Sequence, residues 1–182
     1  VRPMKTTYTA PKHDEPVFAL PKNLTAVIMK LLGRLNISGY EFLSMQYDHE
    51  VQAGSVLKPL QGKGRVNGDA TVSRPVLSSK RGVIISQGLY PTYSDIDTYH
   101  MAAACIDTAI RNAVTAGADI NKLALLDNFC WCSSNESFRL GQLKRAAKAC
   151  YDYSLVYEIP FISGKDSMFN DFKGFKENGK AI

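Results

Sequence analysis

Phe161-Ile162-Ser163-Gly164-Lys165-Asp166-Ser167-Met168-Phe169-Asn170-Asp171 turns an apolar run, opened by Pro160, into a tract of hydroxyl, glycine, ammonium and carboxylate groups. Glycine lets the backbone approach a ligand closely. Lys165 can meet a phosphate as a point charge, and Asp166 can hold Mg²⁺ that bridges phosphate oxygens. Taken alone, the tract also reads as a plain polar turn after a strand. A second tract changes the weight: Leu123-Ala124-Leu125-Leu126 runs into Asp127-Asn128-Phe129-Cys130-Trp131. Two strand ends that both finish in carboxylate or amide groups point to one shared site, gripping a polyphosphate.

Outward from these tracts, periodicity organises the chain. Proline- and charge-bearing residues 1–21 form an extended connector, and Asn23 or Thr25 caps a helix to about Leu35 with Leu24, Val27, Ile28, Leu31 and Leu32 on one stripe. Gly39 breaks it, and residues 40–45 form a short helical turn. Residues 48–68 are glycine-rich and irregular. Ala70–Leu77 and Gly82–Ser86 read as strands, followed by a polar loop to Thr98. A helix then runs to about Ala116, with Asp97 as N-cap, Gly117 past the end, and Ile106, Ile110, Ala113 and Val114 as its apolar stripe. Leu123–Leu126 is a buried strand. The next helix covers about Phe138–Tyr157, with Leu140, Leu143, Ala147 and Cys150 inward, and Pro160 opens the last strand. The order fits either a doubly wound parallel sheet or a ferredoxin-like α+β layer.

Composition narrows the function classes. The 182 residues carry a net charge of +5 with Lys and Arg scattered, which argues against a nucleic-acid patch. No apolar run reaches the length of a membrane span. Cys105, Cys130, Cys132 and Cys150 lack paired zinc spacing and read as reduced thiols of a cytoplasmic protein. The chain begins at Val1 and stops after the turn 177–180, so a fragment is expected. No Gly-x-x-x-x-Gly-Lys-Ser/Thr loop exists, which excludes a P-loop mechanism.

Each candidate residue has a plain alternative. Asp127 ends a strand as an Asx turn, or accepts a nucleotide donor or a metal. Asn112, unfavoured within a helix, is an outward polar residue or an amide ligand to Mg²⁺. Tyr47-Asp48-His49 is a hydrogen-bonding anchor or an acid–base group. Asp95 and Asp97 suit a helix start, and Cys105 and Cys150 suit the core.

Taken in order, Gln46-Tyr47-Asp48-His49-Glu50-Val51, Gly68-Asp69-Ala70-Thr71-Val72-x-Arg74-Pro75, Tyr93-Ser94-Asp95-Ile96-Asp97, Ile110-Arg111-Asn112, Leu126-Asp127-Asn128-Phe129-Cys130-Trp131 and Ser163-Gly164-Lys165-Asp166-Ser167-Met168 closely resemble the synthetase subunit of the phosphoribosylformylglycinamidine synthase family, within the AIR-synthetase-like superfamily. The resemblance is strongest over residues 40–182. It implies an α+β, ferredoxin-like AIR-synthetase N-terminal-type domain, incomplete at its C-terminus: residues 1–44 as connector and helix from the end of a first synthetase half, and 45–182 as part of the second.

It implies an ATP-dependent ligase of purine biosynthesis, which converts formylglycinamide ribonucleotide with glutamine-derived ammonia to the amidine. Its partners are the first synthetase half and a glutaminase domain or subunit, with no nucleic acid or membrane. Asp127, Gly164 and Lys165 are implied to bind nucleotide (ATP or ADP), Ser167 substrate, and Asn112 and Asp166 Mg²⁺. Thr108 stands where the long form of the enzyme has a glutamate, a poor exchange for a hard dication. Ile84-Ile85-Ser86-Gln87-Gly88-Leu89 lacks the catalytic histidine of the first half, so no catalytic residue is expected in this chain and the fragment alone should be inactive. The rivals are another AIR-synthetase-like ATP user, such as a selenophosphate or thiamine-phosphate kinase relative, and a structural pseudo-repeat with an empty site.

Overall fold

The computed structural model describes residues 3–9, 12, 14–46 and 52–180. Tyr47, Asp48 and His49 therefore lie outside the described residues. The chain is α+β, with its described strands in three small sheets. It divides into two compact units: residues 1–12, 88–109 and 119–182, and residues 13–87 and 110–118.

The second unit contains helix α1 (Leu24–Leu32), capped by Asn23, whose side chain accepts from the amide of Ala26 at 3.0 Å. The helix ends at Gly33, short of Leu35, and none of its residues is buried. A single turn, α2 (Glu41–Ser44), follows. The region expected to be irregular holds short strands β1 (Ser55–Leu57), β2 (Leu60–Gln61) and β3 (Val66–Asn67). β2 and β3 form a hairpin held to α2 by Arg65–Glu41 at 2.6 Å and Asn67–Ser44 at 2.5 Å. The expected strand pair is present, shortened at its first member: β4 (Ala70–Ser73) lies between β1 and β5 (Val83–Ser86), both antiparallel to it.

Helix α3 (Thr98–Thr115) begins in the first unit and its residues from Ile110 belong to the second. Its end is as expected: Gly117 takes φ +99° and the Ala118 amide donates back to the Ala113 carbonyl at 3.0 Å. Ile106, Ile110 and Ala113 are buried, whereas Val114 is exposed.

In the first unit, strand β6 (Leu125–Cys130), helix α4 (Ser137–Tyr157) and strand β7 (Phe161–Ser167) form a βαβ unit with β6 and β7 parallel. Among the described strands, β4 thus pairs with β1 on one side and β5 on the other, and β6 and β7 pair with each other. The inward face of α4 is Gly141, Gln142, Ala146 and Ala149. Ala147, expected inward, is exposed, and Leu143 is half-buried. Small side chains set this choice, because Ala102 of α3 meets Ala146 and Ala149 in a core that Tyr99, Phe129 and Trp131 pack against. Fully buried Thr98 donates its hydroxyl to the Gln142 carbonyl at 2.7 Å, tying the helices together. Glu158 ends α4 at φ +55°, and the amide of buried Ile159 donates to the Ser154 carbonyl at 3.1 Å. That reversal delivers Pro160, whose carbonyl accepts from the Leu125 amide at 2.8 Å and starts the parallel ladder.

Candidate functional site

Both polar tracts lie within strands, which corrects their placement after strand ends. β6 continues through Asp127 and Asn128 to Cys130, and β7 continues through Gly164 to Ser167. The parallel register accounts for the extension, since residues 126–130 of one tract are paired one to one with residues 163–167 of the other. Asp127 faces Gly164, Asn128 faces Lys165, Phe129 faces Asp166 and Cys130 faces Ser167. The Trp131 amide then donates to the Ser167 carbonyl at 2.8 Å, beyond the last pair.

Alternation along the ladder divides the tracts between two faces. Phe129 packs on the helical core, so Asp127, Gly164 and Asp166 share that side. Asn128, Lys165 and Ser167 take the other. Asp127 is half-buried, whereas Gly164, Lys165 and Asp166 are exposed. The tracts thus meet side by side, with the carboxylates on one face and the ammonium on the opposite one.

Gly164 leaves room for the Asp127 carboxylate in the position it occupies. A Cβ at position 164 would stand 3.0 Å from the Asp127 carboxyl carbon and closer still to one of its oxygens. Burial, and then the neighbouring Asp166 carboxylate, push the Asp127 pKa above the usual carboxylate range. The same region holds Cys150, whose thiol is pushed up to about 11 by burial first and by Asp127 second. That thiol stays protonated at neutral pH. Burial also raises Cys105, so neither cysteine is a thiolate nucleophile.

A raised folded-state pKa means that the folded chain binds this proton more tightly than the unfolded chain. Asp127 therefore costs stability at neutral pH, and the cost disappears as pH falls below the ordinary carboxylate value. We expect Asp127→Asn to raise unfolding stability at pH 7 by about 0.5 kcal/mol, the scale of a relieved cross-strand like-charge pair. In urea melts the gain should vanish near pH 3; an equal gain at both pH values would refute an electrostatic origin.

The remaining sequence candidates are spread more widely. Asn112 belongs to the second unit, where its amide nitrogen donates to the Gln87 carbonyl at 3.4 Å and leaves its oxygen as an acceptor. In the first unit, the Thr108 hydroxyl shares a 3.1 Å hydrogen bond with Tyr90, whose ring stacks on Tyr93. Among the described residues, no group of three or more His, Cys, Asp or Glu side chains gathers as a metal cage. None of the described helices is long and apolar enough to cross a membrane.

Asp97 does more than start α3. It is buried and accepts two bonds of 2.8 Å from Arg145, as well as one of 3.4 Å from the Tyr99 amide. Only the helix-start role of Asp97 is visible in local sequence, because Arg145 lies 48 residues away.

Fold and site together define an α+β protein with paired carboxylates beside a glycine on a parallel strand pair. No family model matches the chain. It is 33% identical over 158 residues to the phosphoribosylformylglycinamidine synthase subunit PurL of Methanocaldococcus jannaschii, covering 87% of this chain and 20% of that protein. It is 30% identical over 161 residues to PurL of Bartonella quintana (88% and 20%) and 30% identical over 159 residues to PurL of Methanothermobacter marburgensis (87% and 21%). These matches make the chain a relative of one segment of the PurL subunits of phosphoribosylformylglycinamidine synthase, and it spans about a fifth of the length of the relatives it matches.

Proposed function

We propose that this chain is a nucleotide- and substrate-binding part of an ATP-dependent ligase that makes formylglycinamidine ribonucleotide from formylglycinamide ribonucleotide and glutamine-derived ammonia, in the cytoplasm. Residues 1–44 then belong to the end of a first synthetase half and 45–182 to a second, ferredoxin-like N-terminal domain. The observation that carries the reading is the parallel pairing of Asp127 with Gly164, with Asp166 on the same face. Carboxylate oxygens of this kind suit a hard dication, and Mg²⁺ is commonly held by one or two carboxylates with phosphate oxygens and water completing its shell.

When bound, Mg²⁺ would offset polyphosphate charge. Asp127 and Asp166 supply the carboxylates, Gly164 leaves the room beside them, and Ser167 offers a hydroxyl for substrate. Lys165, on the other side of the ladder, attracts phosphate by charge rather than by sharing the Asp127 pocket. Asn112, in the other unit, keeps its amide oxygen as an acceptor and is proposed as a metal ligand in its own right, while the Thr108 hydroxyl is engaged by Tyr90. No group in this segment is assigned proton transfer, so the chain by itself is expected to be inactive. The first synthetase half and a glutaminase are the partners this reading requires.

Asp127→Ala and Gly164→Trp in the full-length enzyme should lower the nucleotide carried through purification more than they slow the chemical step. Both variants purifying with nucleotide at wild-type stoichiometry would count against the site. The pseudo-repeat reading draws on Thr108 being engaged by Tyr90. Equilibrium dialysis of the intact wild-type protein with ADP and Mg²⁺ separates the two, since an empty site retains neither.

A further inference from the structure

A cleft of about 550 Å³ opens in the first unit, lined by Thr6 and Tyr8 of the connector, Tyr99 and His100 of α3, and Lys144 and Lys148 of α4, with Arg145 and Asp152 completing its charge. The connector is a fixed wall. The Thr7 amide donates to the Ser137 carbonyl at 3.3 Å, the Thr7 and Ser137 hydroxyls are 3.1 Å apart, and the Tyr8 ring meets Phe138 edge-on at 4.9 Å. Gly141 permits this seat, since a Cβ there would come within 3.1 Å of the Tyr8 amide nitrogen and 3.2 Å of its Cα.

The cations of this wall are not equally occupied. Arg145 is taken by Asp97 through two bonds of 2.8 Å. Lys148 is taken by Asp152 at 2.8 Å, and Asp152 also accepts the Tyr99 hydroxyl at 2.9 Å. Lys144 makes no ion pair with a described residue. The nearest carboxylate to His100 is Asp97, 3.7 Å away and already claimed by Arg145. Among the described residues, what remains is one ammonium without an ion-pair partner, an exposed imidazole and hydroxyl groups around a concavity of small-molecule size.

We propose that this cleft binds a small phosphate-bearing anion, with Lys144 as its charge partner and His100 and the Thr6 hydroxyl as hydrogen-bond donors. Phosphate oxygens favour such charge-assisted donors, and an ammonium with no ion-pair partner among the described residues breaks no ion pair with them by engaging phosphate. The cleft uses none of the residues assigned to nucleotide, Mg²⁺ or substrate, and the proposal does not rest on that assignment.

The test is a titration of the intact protein with sodium pyrophosphate at constant ionic strength, following the His100 imidazole signal by NMR. Loss of that signal in His100→Gln assigns it. The His100 signal should shift saturably in the wild type, with apparent affinity about tenfold weaker in Lys144→Glu, the loss of one charge-assisted contact. Lys144 is exposed, so its replacement leaves the packing intact, and Lys144→Gln should fall between the two. A His100 signal unmoved at millimolar pyrophosphate overturns the proposal, and so does a Lys144→Glu protein that binds as tightly as the wild type.

Discussion

Arg145→Ala should destabilise the chain by about 2–3 kcal/mol at pH 7, less than the 3–5 kcal/mol typical when a fully buried ion pair is broken. The reduction follows from geometry: the Arg145 side chain is 37% exposed, whereas that of Asp97 is 7% exposed. Truncation leaves a carboxylate in a site from which water is largely excluded, keeping the Tyr99 amide and losing both guanidinium bonds. It also removes a cation lying 5.7 Å from the Tyr99 ring centroid. The pH dependence should change with it. The Arg145 hydrogen bonds hold the Asp97 carboxyl below its ordinary pKa despite its burial. A depressed folded-state pKa contributes stability that is full above the unfolded value, near about 3.9, and is lost as pH falls through the folded one. Urea melts should therefore show the variant's deficit largest at neutral pH and shrinking toward pH 3. A variant with the wild-type midpoint at pH 7 would show that the pair contributes nothing net.

The same pair marks where local sequence stops being informative. Helices and strands from Thr98 to Ser167 are legible because each is long enough to show its period, and because Gly117 and Pro160 punctuate them. Strands β1, β2 and β3 are two or three residues long, too short for alternation to register. The inward face of α4 misleads for another reason. Leu140, Leu143 and Ala147 carry the hydrophobic signal, but close approach of α3 selects the small side chains Ala146 and Ala149. Asp127 within a strand contradicts β-propensity, and the glycine opposite it leaves space for its carboxylate. That pairing spans a whole crossover helix and cannot be read from either tract alone. Family resemblance picks out both tracts, yet strand alternation, which places Lys165 away from Asp127, emerges only once the register is known.

Gly88→Ala should cost about 2–3 kcal/mol, at the upper end of small-to-large changes in packed sites. The added Cβ would stand 2.8 Å from the Cys105 carbonyl carbon and 2.9 Å from its Cα, with the carbonyl oxygen nearer still. These are backbone atoms in the middle of α3, so no side-chain rotation relieves the clash and either the loop or the helix must move. Two residues further on, Tyr90 holds Thr108 by the 3.1 Å hydrogen bond that occupies the Thr108 hydroxyl. A displaced loop should loosen that contact as well as the packing of Cys105. Gly39→Ala is the control, since a Cβ there meets nothing within 4 Å and glycine imposes its own entropic cost. The urea midpoint of Gly39→Ala should match or slightly exceed that of the wild type, while Gly88→Ala should fall well below it. Equal midpoints for the two variants would mean that the loop yields freely, and that the close seat of residue 88 on α3 does not fix the position of Tyr90.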